Sequence, residues 1–134
     1  MSVSILVVDD EPDVAELFRQ HFRRETQRGQ YVLHFAYSAE EGLQMLADGI
    51  RPHLIALLSD INMPGMDGLT LLREIKTRRS DLPVMIVSAY GDEERCRQAA
   101  EYGAAEFITK PVDFDVLKQQ LRQLPCAPTS GALR

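Results

Sequence analysis

The chain has 134 residues, of which 45% are hydrophobic and 26% charged, a balance that suits one globular domain with a substantial core. A formal net charge of -5 and a pI near 5.2 argue against a nucleic-acid surface, because phosphate contacts need clustered Lys and Arg. No apolar stretch approaches the roughly 20 residues that span a bilayer, and the opening "MSVSILVVDD" lacks the basic region of a secretory signal.

The first apolar run, Val3–Val8 ("VSILVV"), leads directly into the acids of "DDEPD". Pro12 suits the first turn of a helix, and Val14, Leu17, Phe18, His21 and Phe22 share one face of it, with His21 expected as a packed core residue. After the connection "RRETQRGQ" comes a second run, Tyr31–Ala36 ("YVLHFA"), and then a capping box of Ser38 and Glu41 ahead of Leu43 and Leu46. The third run, Leu54–Leu58 ("LIALL"), passes through Ser59 to Asp60 and a loop of Asn, Met, Pro and Gly. Met63 and Met66 flank that loop as gap-filling or partner-facing side chains. Gly68 opens a helix whose apolar face holds Leu71, Leu72 and Ile75. The fourth run, Val84–Val87 ("VMIV"), precedes a helix with Asp92 as its expected N-cap and Gly103 at C′. The fifth, Ala105–Thr109 ("AEFIT"), reaches Lys110, and Asp113 starts a last helix that buries Leu117, Leu121 and Leu124. Residues 125–134, "PCAPTSGALR", suit a linker or flexible tail after a domain over 1–124. Cys96 and Cys126 fit no metal spacing and are expected as free thiols in a reducing cytoplasm, and His34 and His53 are expected to be structural.

Five strand-like runs, each followed by a helical pattern, predict an α/β doubly wound domain with a mainly parallel sheet and five helices. Three of the runs are continuous rather than alternating, as strands covered on both faces should be. In such sheets the functional groups gather beyond the carboxyl ends of the strands. Here those ends carry Asp9 and Asp10, Asp60, Ser88 and Lys110. Two carboxylates about 5 Å apart repel by roughly 3 kcal/mol at an effective dielectric near 20, so three need a cation. With no Cys or His in the set, oxygen ligands point to Mg²⁺, or Mn²⁺, rather than zinc. A metal, a lysine and a hydroxyl around one carboxylate suit phosphoryl transfer, with Asp60 as nucleophile.

Four stretches, "ILVVDDEPD", "LLSDINMPGMDG", "VMIVSAYGD" and "FITKP", stand in the order found in the receiver domain of bacterial two-component response regulators, which the chain resembles over roughly 3–124. The resemblance implies a flavodoxin-like fold and a phosphoryl group accepted by Asp60 from a sensor histidine kinase or phosphotransfer protein. It further implies Mg²⁺ ligation by Asp10, Asp60 and the backbone carbonyl of Asn62, with Asp9 acting mostly through water. Ser88 and the N–H of Ala89 would bind the phosphoryl oxygens, Lys110 would neutralise them, Phe107 would be an aromatic switch, and the Lys110–Pro111 bond would be cis. The same likeness implies a signalling face over 92–123, read by an output domain, a target protein or a second copy of the chain. Glu93, Arg95, Arg97, Glu101, Tyr102, Glu106, Lys118 and Arg122 are the side chains expected to be exposed on it.

Two segments depart from the family pattern. "RRETQRGQ" runs about one helical turn longer than the family's usual connection, and the stretch from Pro52 to Asp60 a couple of residues longer, which leaves room for a bulge or a longer loop. A haloacid-dehalogenase-type phosphatase would carry a second Asp two residues after the nucleophile, where this chain has Asn62, an amide that cannot transfer a proton. A flavin-binding module would need a Gly, Ser and Thr loop where "DDEPD" stands. A phosphorylation-independent interaction domain would have no use for the intact acid cluster.

Overall fold

A computed structural model describes residues 2–124; the expectations for Cys126 and the 125–134 tail lie outside that range. In chain order the elements are β1 (Val3–Val8), α1 (Pro12–His21), α2 (Arg23–Gln27), β2 (Tyr31–Ala36), α3 (Ala39–Asp48) and β3 (Leu54–Asp60). There follow α4 (Gly68–Arg78), β4 (Val84–Ser88), α5 (Glu93–Glu101), β5 (Glu106–Thr109) and α6 (Phe114–Arg122). The strands form one sheet in the order β2-β1-β3-β4-β5, with every pairing parallel. The direction of winding reverses beside β1, and the two cores lie on opposite faces of the sheet.

One layer packs Leu6, Val8, Leu57 and Ile86 against Leu43 of α3, Leu71, Leu72 and Ile75 of α4, and Ala99 of α5. The other packs Ile5, Val7, Leu58 and Met85 against Phe18 of α1 and Phe114, Leu117 and Leu121 of α6. Alternation along β1 sends neighbouring residues to opposite layers, which explains a run apolar at nearly every position. Ser4, the polar exception, is buried with its hydroxyl 3.0 Å from His34 Nε2, giving that histidine a partner the sequence did not indicate.

The long approach to Asp60 contains the bulge. Ser4 aligns with Leu54 but Ile5 aligns with Ala56, leaving Ile55 as the extra residue. Ile55 and Ala56 consequently face the same layer, and Leu54 and Leu58 face opposite ones although they are four residues apart. An unbroken strand would keep residues four apart on one face, so the bulge sets the side of the sheet from which Asp60 emerges. β3 also extends through Asp60 itself, two residues beyond the apolar run, while β5 begins one residue later than its run.

There are six helices among the described residues, not five. The additional α2 has five residues and buries none of them, so no apolar periodicity announces it. It is held from outside: Lys118 of α6 donates to His21 O at 2.7 Å and pairs with Glu25 Oε2 at 2.9 Å. Burial is the largest influence on the Glu25 carboxylate and opposes its charge, yet the Lys118 hydrogen bond, the residue's own backbone N–H and the charges of Lys118 and Arg24 together lower its pKa. His21 is likewise not in the core. It is exposed, with its ring stacked on Phe114 at a centroid distance of 4.1 Å, because α6 covers only the inner part of α1's apolar face and leaves Leu17 46% exposed. No helix among the described residues is long and apolar enough to cross a membrane.

Three helices carry a side-chain cap, at Ser38 and Asp113 where the sequence indicates a helix start and at Asp67, one residue before the opening expected at Gly68. Ser38 accepts from the Glu41 N–H, Asp67 from Thr70, and Asp113 from Asp115 and Val116. Glu41 returns its bond to the Tyr37 N–H at 2.7 Å, one residue before the position a capping box uses. Gly103, at φ +97°, follows the C-cap of α5 in the left-handed region.

Gly68 is required for a different reason. A Cβ there would lie 2.4 Å from Asp60 O and 2.7 Å from Ile61 Cα, both backbone atoms that cannot swing aside. Helix α4 can press against the end of β3 only because residue 68 lacks a side chain. Gly→Ala inside a helix ordinarily gains about 0.5–1 kcal/mol. Gly68→Ala is expected instead to lose about 2–4 kcal/mol by overpacking. Urea denaturation checks the sign, and a stabilised variant would contradict the close approach.

Candidate functional site

Backbone hydrogen bonds tie the five strand ends together at one edge. Asp9 N–H donates to Ala36 O at 3.0 Å, Ile61 N–H to Val87 O at 3.0 Å, and Lys110 N–H to Ser88 O at 2.8 Å. The side chains leaving those ends converge. Carboxylate oxygens of Asp9, Asp10 and Asp60 all lie within 4.8 Å of one another. Asp9 and Asp60 are buried and Asp10 is half-buried, so the cluster opens to solvent on the Asp10 side.

Lys110 reaches back over this cluster. Its Nζ stands 3.1 Å from Asp60 Oδ2, 3.6 Å from Asp9 Oδ2 and 3.9 Å from Glu11 Oε1. Burial opposes its charge, but the Asp60 hydrogen bond and the fields of Asp60, Asp9 and Glu11 prevail and raise its pKa. The Lys110–Pro111 bond is cis, as expected, and so is Arg51–Pro52, which was not foreseen. Asp60 Oδ1 accepts the Asn62 N–H at 3.1 Å, and Asp9 Oδ1 accepts the Glu11 N–H at 3.0 Å. Burial is the largest influence on Asp9 and raises its pKa; the Glu11 N–H opposes the rise, and the nearby Asp60 charge adds to it.

This donor set fits a hard divalent cation. Three carboxylates share one small volume, all their ligand atoms are oxygen, and Lys110 is the one ammonium against three acids. Zinc would call for sulfur or imidazole, and neither is in the cluster.

The other expected residues lie around this centre. Ser88 is buried at the end of β4, level with Thr109 of β5. Phe107 is 37% exposed, on the outer side of β5, while its neighbour Ile108 is buried. Met63 is buried in the core with Met66 packed against it, which supports their gap-filling role. Beside these, a polar network carries three side chains that sequence reasoning assigned elsewhere or overlooked. Asp92 holds the N-cap position of α5, but its side chain makes no capping bond. Its Oδ2 accepts the Ala89 N–H at 2.9 Å, and its two oxygens accept from Asn62 Nδ2 at 3.2 and 3.1 Å. The Ala89 hydrogen bond is the main cause of the lowered Asp92 pKa, and Asn62 assists.

Arg95 turns inward rather than facing out on the 92–123 surface. Its guanidinium donates to Asn62 Oδ1, to Ile61 O at 3.1 Å and to Asp67 Oδ2 at 2.6 Å. Lys118 is likewise occupied, by Glu25 and His21. The mixed-charge face is therefore smaller than the sequence suggested. Asp92 and Arg95 sit three apart in the first turn of α5, a spacing that puts both on one side. That spacing is visible in "DEER", but nothing local to it names Asn62 as the shared target. Glu11 is the third carboxylate around Lys110, and nothing in "DDEPD" singles it out from its neighbours.

A family model described as the response regulator receiver domain matches residues 5–122. The chain is 35% identical over 120 residues to the probable C4-dicarboxylate response regulator DctR of Priestia megaterium, covering 90% of this chain and 50% of that protein. It is 30% identical to sporulation initiation phosphotransferase F of Bacillus subtilis, covering 92% of this chain and 94% of that one. Among solved structures, the response regulator protein TrrA of Thermotoga maritima, in complex with Mg(2+)-BeF, superposes with a TM-score of 0.73 at 32% identity. That match covers 89% of this chain and 96% of TrrA. The chain spans about half the length of DctR and a quarter or less of several longer regulators that it matches. With its parallel five-stranded sheet, its acid cluster at the carboxyl edge and a family match over 5–122, the chain belongs to the response-regulator receiver domains.

Proposed function

We propose that Asp60 accepts a phosphoryl group and that the domain signals by the change this causes. The observation that carries the reading is the setting of Asp60, buried at the end of β3 with Lys110 Nζ at 3.1 Å and Asp9 and Asp10 beside it. From a phosphohistidine donor, an Asp60 carboxylate oxygen forms the new O–P bond as the P–N bond breaks, and the electron pair leaves with the imidazole. A carboxylate nucleophile needs no general base. Lys110 neutralises oxygens of the arriving group, and Ser88 and the Ala89 N–H donate to the others. Asp10, Asp60 and the Asn62 carbonyl would hold Mg²⁺ (or Mn²⁺), with Asp9 acting mostly through water; the ion would supply positive charge to the transferring phosphoryl oxygens. The chain thus promotes its own phosphorylation and dephosphorylation without being a turnover enzyme.

The donor protein, a sensor histidine kinase or a phosphotransfer protein, must reach Asp60 from its open side. A cavity of about 270 Å³ touches Asp60 and Lys110 and has Val14, Leu17, Pro111 and Val112 in its wall. This apolar wall beside the reacting group suits a docking helix. Downstream, the reader is an output domain of the same polypeptide or a separate target in the cytoplasm, with 125–134 as linker or tail after a receiver unit over 1–124. Phe107 and Tyr102, both more than a third exposed, are the aromatic groups the 92–123 face offers to it or to a second copy.

Incubation with acetyl phosphate and Mg²⁺, read by intact mass, is expected to add one phosphoryl group to the wild type and none to Asp60→Asn. Full labelling of Asp60→Asn would remove Asp60 from the mechanism.

The crowded acids generate a second expectation. The folded pKa of Asp9 is raised above its ordinary value of 3.8, so the proton is held more tightly in the folded state. The stability this contributes is present below the unfolded pKa and lost as pH rises through the folded one, leaving ionised Asp9 destabilising at neutral pH. Asp9→Asn is expected to raise metal-free stability at pH 7 by about 1 kcal/mol. Mg²⁺ at ten times its dissociation constant is expected to stabilise the wild type by about 1.4 kcal/mol. Asp10→Ala should lose that response in thermal melts. An equal Mg²⁺ response in both proteins would place the ion elsewhere.

A further inference from the structure

We propose that Asp92 is an internal occupant of the phosphoryl-binding amide, and that phosphorylation sends its carboxylate from that amide to the N-terminus of α5. The inference rests on the Asp60 reading above and extends it to a side chain outside the acid cluster.

Two observations carry it. The Ala89 N–H, which a phosphoryl group on Asp60 would need, already donates to Asp92 Oδ2 at 2.9 Å. The same carboxylate holds Asn62 Nδ2, and Arg95 holds Asn62 Oδ1, so the first turn of α5 grips the side chain two residues beyond Asp60 from both ends. A single N–H cannot serve two anionic acceptors at full strength, and the incoming oxygens must displace the carboxylate. Gly91, at φ +98°, lies inside the short loop between Ala89 and Asp92, where this exchange would take place.

The second observation says where the carboxylate goes. Ser38, Asp67 and Asp113 occupy the N-cap positions of α3, α4 and α6 with extended ψ angles of 161°, 179° and 102°, and each accepts from a backbone N–H of its helix. Asp92 holds the same position on α5 with ψ 18° and no such bond. The residue type, position and free helix N–H groups for a cap are all present, while the carboxylate is engaged elsewhere. Released from Ala89, it can rotate to the Glu94 or Arg95 N–H. The Ala89 N–H and the start of α5 thus compete for one carboxylate, and the phosphoryl group decides between them by taking the amide. This contact is separate from Ser88 and Phe107 and passes through a charge rather than an aromatic ring.

The test uses amide spectra of the full chain and titration with beryllofluoride in Mg²⁺. Without beryllofluoride, Asp92→Ala should shift the Ala89 amide and speed its hydrogen exchange; an unchanged Ala89 amide overturns the contact. Asp92→Asn keeps a good cap but replaces the charge-assisted bond to Ala89 by a weaker neutral one. Its half-saturation should fall about threefold below wild type, a modest factor because the contact is exposed. An equal half-saturation overturns the competition. In the wild type, beryllofluoride should move the Glu94 and Arg95 amides as they gain the cap, and in Asp92→Ala it should not; equal movement in both overturns the capping step. Failure of the wild type to bind beryllofluoride would overturn the Asp60 reading and the competition together, while the Ala89 comparison would still decide the resting contact.

Discussion

One constraint organises the molecule: three carboxylates gathered at the edge of a parallel sheet, with a single ammonium to hold them. Asp9, Asp10 and Asp60 crowd within 4.8 Å, and Lys110 bridges only part of that charge. Backbone amides share the load, since Asn62 N–H and Glu11 N–H each point at one of the acids. Burial above all, with the Asp60 charge adding to it, raises the pKa of Asp9, in keeping with incomplete compensation of the cluster. A site of this kind is destabilising in itself and must be held by the rest of the fold. The same incompleteness makes it responsive, because any group that brings or removes charge there changes the balance of forces on every strand end around it.

The sheet holds the site because its strand ends are not free to move. Both faces are packed, so β1, β3 and β4 are apolar at almost every position and their exits are determined by register. The bulge at Ile55 sets the side from which Asp60 leaves β3. Gly68 then lets α4 close against the Asp60 carbonyl with no side chain between them. Rigidity in these strands leaves the Ala89–Asp92 loop and the outward Phe107 as places where a local change can be accommodated. Nothing in the buried layers needs to rearrange for such a change to reach α5.

Much of this was legible in the sequence because it depends on short-range chemistry. Continuous apolar runs mark strands covered on both sides, and Ser38, Asp67 and Asp113 mark helix starts wherever their side chains have no better partner. Carboxylates at the ends of two such strands foretell a charged edge before any coordinate is known. The illegible parts depend on contacts remote in the chain. Helix α2 has no apolar face of its own and is held by Lys118, far away in sequence. His21 shares a face with Phe18 and Phe22, yet the extent of α6 decides that it stays exposed. Asp92 has every local feature of an N-cap, and its partner Asn62 lies 30 residues earlier.

The Asp92 exception also bears on how a small charge can matter at a distance. A phosphoryl group adds acceptor oxygens but no new apolar surface, so its first effects must be exchanges of hydrogen-bond donors. Lys110 and the Asn62 N–H donate to Asp60, and on the proposed reading the Ser88 hydroxyl and the Ala89 N–H are the further donors a phosphoryl group there would use. Lys110 and the Asn62 N–H already serve Asp60 and can remain with it, and Ser88 sits at a fixed strand end. The Ala89 N–H alone is committed to a residue of another element, and that element is α5. Of the available exchanges, the one at Ala89 must therefore disturb a helix as well as the site. Arg95 gives that disturbance a direction, since it ties the same helical turn to Ile61, Asn62 and Asp67 and restrains α5 from simply moving away. On the proposed exchange, with the guanidinium anchored and the carboxylate released, the response left to the first turn of α5 would be a rotation about Asp92. That rotation begins the face that continues into Tyr102 and Phe107.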